Sequence, residues 1–421
     1  MTEIRSQRLQ CGAQLLTERM PGVRSAAMTW MLPLGTARDP ESQIGMSAML
    51  EELLLRGTQN ETSRELADAF DTLGASRGTS TGIRHNTVTA RLLGTRLDAT
   101  LPMLVDMVRS PRLGGDDFDA SLEASRALCL QSLSSIDDEP RDKAMRELLN
   151  VHFGSPINRH TLGTREGIAA VDGASVAAHY AANARPEGSI IAVAGDVDAD
   201  ALFERLNAML DDWQGAPSDI ASEQPGVRGV HHIEQKSNQV HIALSYDAPR
   251  ETDDPDCWYE RLGTAVLSGG MSGRLFTEVR EKRGLCYSVY ASYGSGKHHG
   301  RVTAYAGTTP ERAQETLDVL VSELQRVRTG AGAVDASEFE RARTGLKSKL
   351  VLSGESSRAR ASALAADYDR LGRCRSLDEL AQKVDSITLD QLNGYLQATP
   401  LDLSKTSVVT IGPAPLKFSA G

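Results

Sequence analysis

Short β-type runs alternate with amphipathic helical stretches along this chain, and the alternation occurs twice. Apolar runs and period-two alternation predict strands at Ser25–Leu34 and Asn86–Leu93, and Ala75–Thr81 also reads as a strand. Apolar positions at helical spacing predict helices at Glu41–Arg56 and Thr62–Leu73. Thr62 and Glu65 have capping-box spacing, and Gly74 fits the stop that ends such a helix. Later in the chain the same patterning predicts helices at Ser337–Ser348, Glu355–Leu371 and Ser376–Val384.

The second half reads as a copy of the first. Thr87–Gly94 (TVTARLLG) resembles Arg301–Gly307 (RVTAYAG), and a helical stretch follows each, Asp98–Val108 and Pro310–Val327. In the second, Thr308 and Glu311 have capping-box spacing and Pro310 suits a first helical turn. Val171-Asp172 and the helix to Tyr180 match Val384-Asp385 and the helix to Tyr395. Each copy ends in an apolar strand before glycine, Ser189–Gly195 and Ser407–Gly412. The matches keep one order and one offset of about 215 residues, the mark of an internal duplication.

These patterns predict an α+β fold of two homologous domains, residues 1–216 and 226–421. Each is expected to be a mostly antiparallel sheet with helices packed on it. The Gly-, Pro-, Ser- and acid-rich stretch Asp211–Gln235 is the expected linker, spanning the domains without joining a core.

Length and composition fit this arrangement: 421 residues exceed one ordinary core, and 40% hydrophobic with 24% charged residues is globular. A net charge of −10 and 5% aromatics exclude a basic or base-stacking nucleic-acid reader. The five cysteines are scattered and form no C-x-x-C, which argues against a disulfide framework or a thiolate zinc site. Met1 to Arg5 lead into no apolar signal region, and no run is long enough to span a bilayer, so a cytoplasmic, membrane-free protein is expected.

The stretch richest in candidate chemistry is Leu267–Tyr290, LSGGMSGRLFTEVREKRGLCYSVY. A turn at Gly269 and Gly270 opens a charged helix expected over Arg274–Arg283, and Gly284 breaks it before a strand at Leu285–Tyr293. A tight turn would bring Arg280 and Tyr287 to one surface, where both are donors suited to a polarised carbonyl oxygen. Spacing alone leaves a second reading open, a solvated helix end beside an ordinary strand tyrosine. A phosphate cradle is excluded, because no G-x-x-x-x-G-K-[ST] or strand-GxGxxG-helix unit is present. The adjacent pairs His231-His232 and His298-His299 read as strand neighbours on opposite faces, and the other histidines lack ligand spacing.

Together GMSAMLEELLLRGT (Gly45 to Thr58), SRELADAFDTLGASRGTSTGIRHNTV and GGMSGRLFTEVREKRGLCYSVY resemble the insulinase/pitrilysin-type metallopeptidases. The closest likeness is to short two-domain members similar to mitochondrial processing peptidase subunits, over nearly the whole chain. Active members of that family carry H-x-x-E-H on a helix, with two zinc ligands flanking the general base. Here the register reads Ala48-Met49-Leu50-Glu51-Glu52: Ala48 has no donor, Glu51 keeps the base position and Glu52 replaces the second ligand. The third ligand position maps near Ser132. The resemblance assigns catalytic roles to Arg280 and Tyr287 and substrate contact to Gly269 and Gly270.

The resemblance therefore implies the non-zinc, substrate-binding subunit of a heterodimeric zinc peptidase, inactive alone. It implies no cofactor or metal in this chain, with zinc in an H-x-x-E-H partner, and a peptide substrate. A catalytically inactive scaffold, similar to core subunits of the respiratory cytochrome complex, is the alternative, as is a peptide-binding homodimer.

Overall fold

The computed structural model describes residues 3–115 and 117–418; Met1 and Thr2, which open the N-terminal stretch read above, lie outside them. The first half contains β1 (Glu3–Arg8), β2 (Gln14–Arg19), β3 (Ser25–Leu32), α1 (Met46–Leu53), α2 (Ser63–Thr72), β4 (Ser76–Thr81) and β5 (Asn86–Leu93). It continues through α3 (Leu97–Arg109), α4 (Phe118–Asp138), α5 (Pro140–His152), α6 (Arg165–Ala169), α7 (Gly173–Asn183), β6 (Ile190–Gly195) and α8 (Ala199–Met209). The second half holds β7 (Gly229–Glu234), β8 (Val240–Ala248), α9 (Asp256–Ser268), β9 (Cys286–Ser295), β10 (Gly300–Thr308) and α10 (Ala313–Arg326). It ends with α11 (Ala336–Gly354), α12 (Ser357–Leu371), α13 (Leu377–Asp385), α14 (Leu389–Ala398) and β11 (Ser407–Gly412).

The duplication is visible in the sheets. One has the order β1-β2-β6-β3-β5-β4 and the other β7-β11-β8-β10-β9. Beyond the added β1 the two orders correspond strand for strand. In both, one pair is parallel, β2 with β6 and β7 with β11, and the remaining ladders are antiparallel. The fold is α+β, two sheets each covered by helices.

The chain divides into two compact units, and each is discontinuous. One runs to Ser135 and adds Ser155–Glu223 and Ser353–Ser376; the other takes Ile136–Gly154, Gln224–Leu352 and the chain from Leu377 onward. Helix α12 thus belongs to the first unit, where Ala361, Leu364 and Ala365 pack on Leu16, Ala27 and Ala192 of its sheet. Helix α5 belongs to the second, where Ala144, Leu148 and Val151 pack on Ala243, Val409 and Ile411. The boundaries 1–216 and 226–421 contain neither exchange.

Three local expectations are corrected. Glu41–Arg56 is not one helix: a 3-10 turn at Glu41–Gln43 precedes α1, and Gly45 between them takes φ of 121°, outside helical space. Thr308 does not cap the following helix; it ends β10 and its hydroxyl donates to Leu285 O at 2.6 Å, while Thr309 precedes the 3-10 turn Pro310–Arg312. The ends of Asp211–Gln235 do join cores: Trp213 is 4% exposed and packs edge-on against Trp30, and Gly229–Glu234 forms β7. No helix among the described residues is long and apolar enough to cross a membrane.

Candidate functional site

Helix α1, which holds Ala48, Glu51 and Glu52, is fixed by Asp39. Its N-cap residue is Gly45, which has no side chain to cap with. Asp39 substitutes, accepting from the backbone N–H of Gly45 at 2.8 Å and of Ser47 at 3.0 Å. Asp39 is 3% exposed, and burial pushes its carboxyl up to about 6 against the hydrogen bonds that favour its charge. Thr79 on β4 donates to Glu51 O at 2.9 Å and ties the helix to the sheet.

On this helix Ala48 is buried, whereas Glu51 and Glu52 are half-buried. Burial and the neighbouring charge of Glu51 raise the Glu52 carboxyl above its usual range. Ser132 is exposed on α4. The α4 side chain that feels Glu51 and Glu52 is Cys129, one helical turn earlier and 4% exposed. Burial, then these two carboxylates, push its thiol up to about 12, so it stays protonated at neutral pH. The sequence reading missed Cys129; counting one turn back along the helix from Ser132 would have reached it.

These residues do not fit a zinc ion. Catalytic zinc takes about three protein ligands, and of Ala48, Glu51, Glu52 and Ser132 only two carry a carboxylate. Among the described residues, no group of three or more His, Cys, Asp or Glu side chains is placed to hold a metal. The histidines have other partners: His231 bonds to Arg228 O at 2.8 Å, His232 to the Thr410 hydroxyl at 2.9 Å and His241 to the Tyr305 hydroxyl at 2.8 Å.

The Arg/Tyr stretch is organised by a different helix from the one expected. In place of a regular α-helix over Arg274–Arg283, the chain winds a π-helix at Phe276–Glu281. Arg274 anchors its start, with Nε and Nη2 donating to the Glu338 carboxylate at 2.7 and 2.6 Å. Gly284, at φ of 61°, makes the sharp exit: its N–H donates to Arg280 O, and Leu285 N–H to Val279 O, both at 3.0 Å. β9 then begins at once.

Tyr287 enters β9 at an irregularity in the ladder. Ser288 faces Gly307 and Cys286 faces Thr308, which leaves Tyr287 as the extra, unpaired residue of a β-bulge. A bulge re-aims the side chain it carries, and Tyr287 is 51% exposed. Arg280 is exposed too, with its guanidinium 4.7 Å from the Phe276 ring centre. The Arg280 charge reaches Cys286, next to Tyr287, drawing down a thiol that burial has raised to about 11. The second unit therefore presents a cationic fork and a phenol hydroxyl from one turn-and-strand segment, both open to solvent. Gly269 and Gly270, also exposed, follow α9, and Gly269 lines a cleft of about 360 Å³ between α9, β9 and α11.

Comparison with known proteins agrees with this architecture. The profile described as Insulinase (Peptidase family M16) matches residues 14–165, and that described as Peptidase M16 inactive domain matches residues 170–346. An uncharacterized zinc protease of Mycobacterium leprae (strain TN) is 28% identical over 393 residues, covering 91% of this chain and 86% of the relative. The crystal structure of a peptidase M16 inactive domain from Pseudomonas fluorescens shares the fold, with a TM-score of 0.86 at 21% identity and 100% coverage of both chains. A chain of complex III2 from Candida albicans also shares it, with a TM-score of 0.81 at 15% identity over 98% of this chain and 96% of that one. The chain belongs to the insulinase family, peptidase family M16.

Proposed function

We propose that this chain is the non-zinc, substrate-binding subunit of a heterodimeric zinc metallopeptidase of the cytoplasm, inactive alone. The observation that supports this most is the asymmetry between its halves. Ala48 stands where the family's motif needs a zinc ligand, yet Arg280 and Tyr287 are retained and exposed, Tyr287 on a bulge. The partner is a subunit with an intact H-x-x-E-H motif, which supplies metal and base. The substrate is a peptide lying along Gly269 and Gly270. As its scissile carbonyl is attacked, negative charge grows on oxygen, and the Tyr287 hydroxyl and the Arg280 fork donate to it. A catalytically inert scaffold is the second reading, favoured by the fold likeness to a complex III2 chain.

The test is a reconstituted pair of this chain and its H-x-x-E-H partner. The partner's peptide turnover is expected to rise when this chain is added. Tyr287→Phe keeps the ring and removes one donor, a loss worth about 2.7–4 kcal/mol at comparable sites, so turnover should fall at least about tenfold. Assembly with the partner should be unchanged. Wild-type turnover from Tyr287→Phe would leave the scaffold as the better reading.

A further inference from the structure

We infer that the cleft beside Gly269 receives the free C-terminal end of a peptide, its carboxylate held at Arg341 and its last side chain inside the cleft. The inference rests on the peptide-binding reading above and assigns a separate subsite to it. At about 360 Å³ the cleft lies within the range of about 300–1,000 Å³ common to ligand sites. Small residues create the space: Ala265 on α9, Ala291 on β9, and Ala342 and Gly345 on α11. Leu346 adds an apolar wall.

Two features select the occupant. Thr264 also lines the cleft and is 5% exposed, and its buried Oγ1 has no hydrogen-bond partner among the described residues. An unpartnered buried hydroxyl costs about 1–3 kcal/mol, which a peptide N–H or C=O entering the cleft would recover. The second feature is charge. Arg261 is paired with Glu251 at 3.2 Å, and Glu338 is held by Nε and Nη2 of Arg274. Arg341 donates only to the Ser337 hydroxyl, and neither it nor Lys349 meets a carboxylate among the described residues. The cleft therefore has two uncompensated cations at its exposed edge and an apolar interior. A chain end combines a carboxylate with an apolar side chain, and an Arg fork matches carboxylate geometry. The half-enclosed volume suits an end better than a strand passing through.

The assay is titration calorimetry of the purified chain, without any partner, against three N-acetylated tetrapeptides. One ends in leucine with a free carboxylate, one is its amide, and one is an amide ending in glutamate. The free acid is expected to bind at least about tenfold more tightly than either amide, the equivalent of about 1.4 kcal/mol. The surface double variant Arg341→Gln, Lys349→Gln should remove that advantage without touching the fold, and Ala265→Leu should weaken all three by filling the cleft. Equal binding of acid and leucine amide, or no binding of the acid at millimolar concentration, overturns the assignment. Binding of the glutamate amide as tight as the acid overturns the chain-end part of it. Since no partner is present, this result is independent of whether the chain activates one.

Discussion

Replacing Arg360 by methionine is expected to be among the most destabilising single changes in the first unit. Arg360 lies on α12, 2% exposed, and its Nε donates to Glu18 Oε2 on β2 at 2.7 Å. The two side chains are 3% and 1% exposed, so neither charge can turn to water. Arg360 also reaches Arg375 O at 3.3 Å, whereas the second Glu18 oxygen, Oε1, is buried without a partner among the described residues. Methionine fills much of the volume but strands the carboxylate, and breaking one side of such a pair costs about 3–5 kcal/mol. At about 2–4 °C per kcal/mol for a unit of this size, the midpoint should drop by about 6–20 °C. Calorimetry on the wild type, Arg360→Met and the double variant Glu18→Leu, Arg360→Met measures this directly. The double variant should recover most of the loss or exceed the wild type, because an incompletely bonded buried pair is often improved by apolar replacement. A shift below about 2 °C for Arg360→Met, or a double variant no better than the single, would refute the reasoning.

Two further outcomes follow from the same structure. Burial lowers His179, which is 8% exposed, to about 4, so the folded protein keeps it neutral where an unfolded histidine takes a proton. The stability it contributes is full above the unfolded value of about 6.5 and is lost as pH falls toward 4, about 2–3 kcal/mol by pH 4.5. Urea denaturation of His179→Asn should show that much less dependence between pH 7 and 4.5, and an unchanged slope would contradict it. Limited proteolysis should cut first at 219–224, an exposed coil between Trp213 and β7. The nicked halves should elute together from a native sizing column, because each unit contains a helix from the other half; separate elution would show that α5 and α12 do not hold their units together.

The sequence by itself determined what is local or strictly repeated. The strands at Asn86–Leu93 and Ser407–Gly412 follow from apolar patterning within a few residues. The capping box of α2 is written in Thr62 and Glu65, and both of its hydrogen bonds form. That residue 48 is an alanine, with no atom able to bind a metal, is a covalent fact that no packing can alter. The duplicated order, read from four matched segments, appears as the matched strand orders of the two sheets.

The tertiary structure decided which partner each locally specified element meets. Helices α5 and α12 each pack on the sheet formed mostly by the other half of the chain, and their placement depends on contacts far along the chain. Arg360 finds Glu18 across 342 residues of sequence. Ser132 and Cys129 are one turn apart on α4, and only the folded chain shows that Cys129 feels the charges of Glu51 and Glu52. The bulge at Tyr287 arises from a register shift between β9 and β10, a property of two strands that neither sequence contains alone. Periodicity is set by the geometry of one turn or one pleat, whereas register and helix exchange are set by complementarity between distant surfaces, and the folded chain alone brings those together.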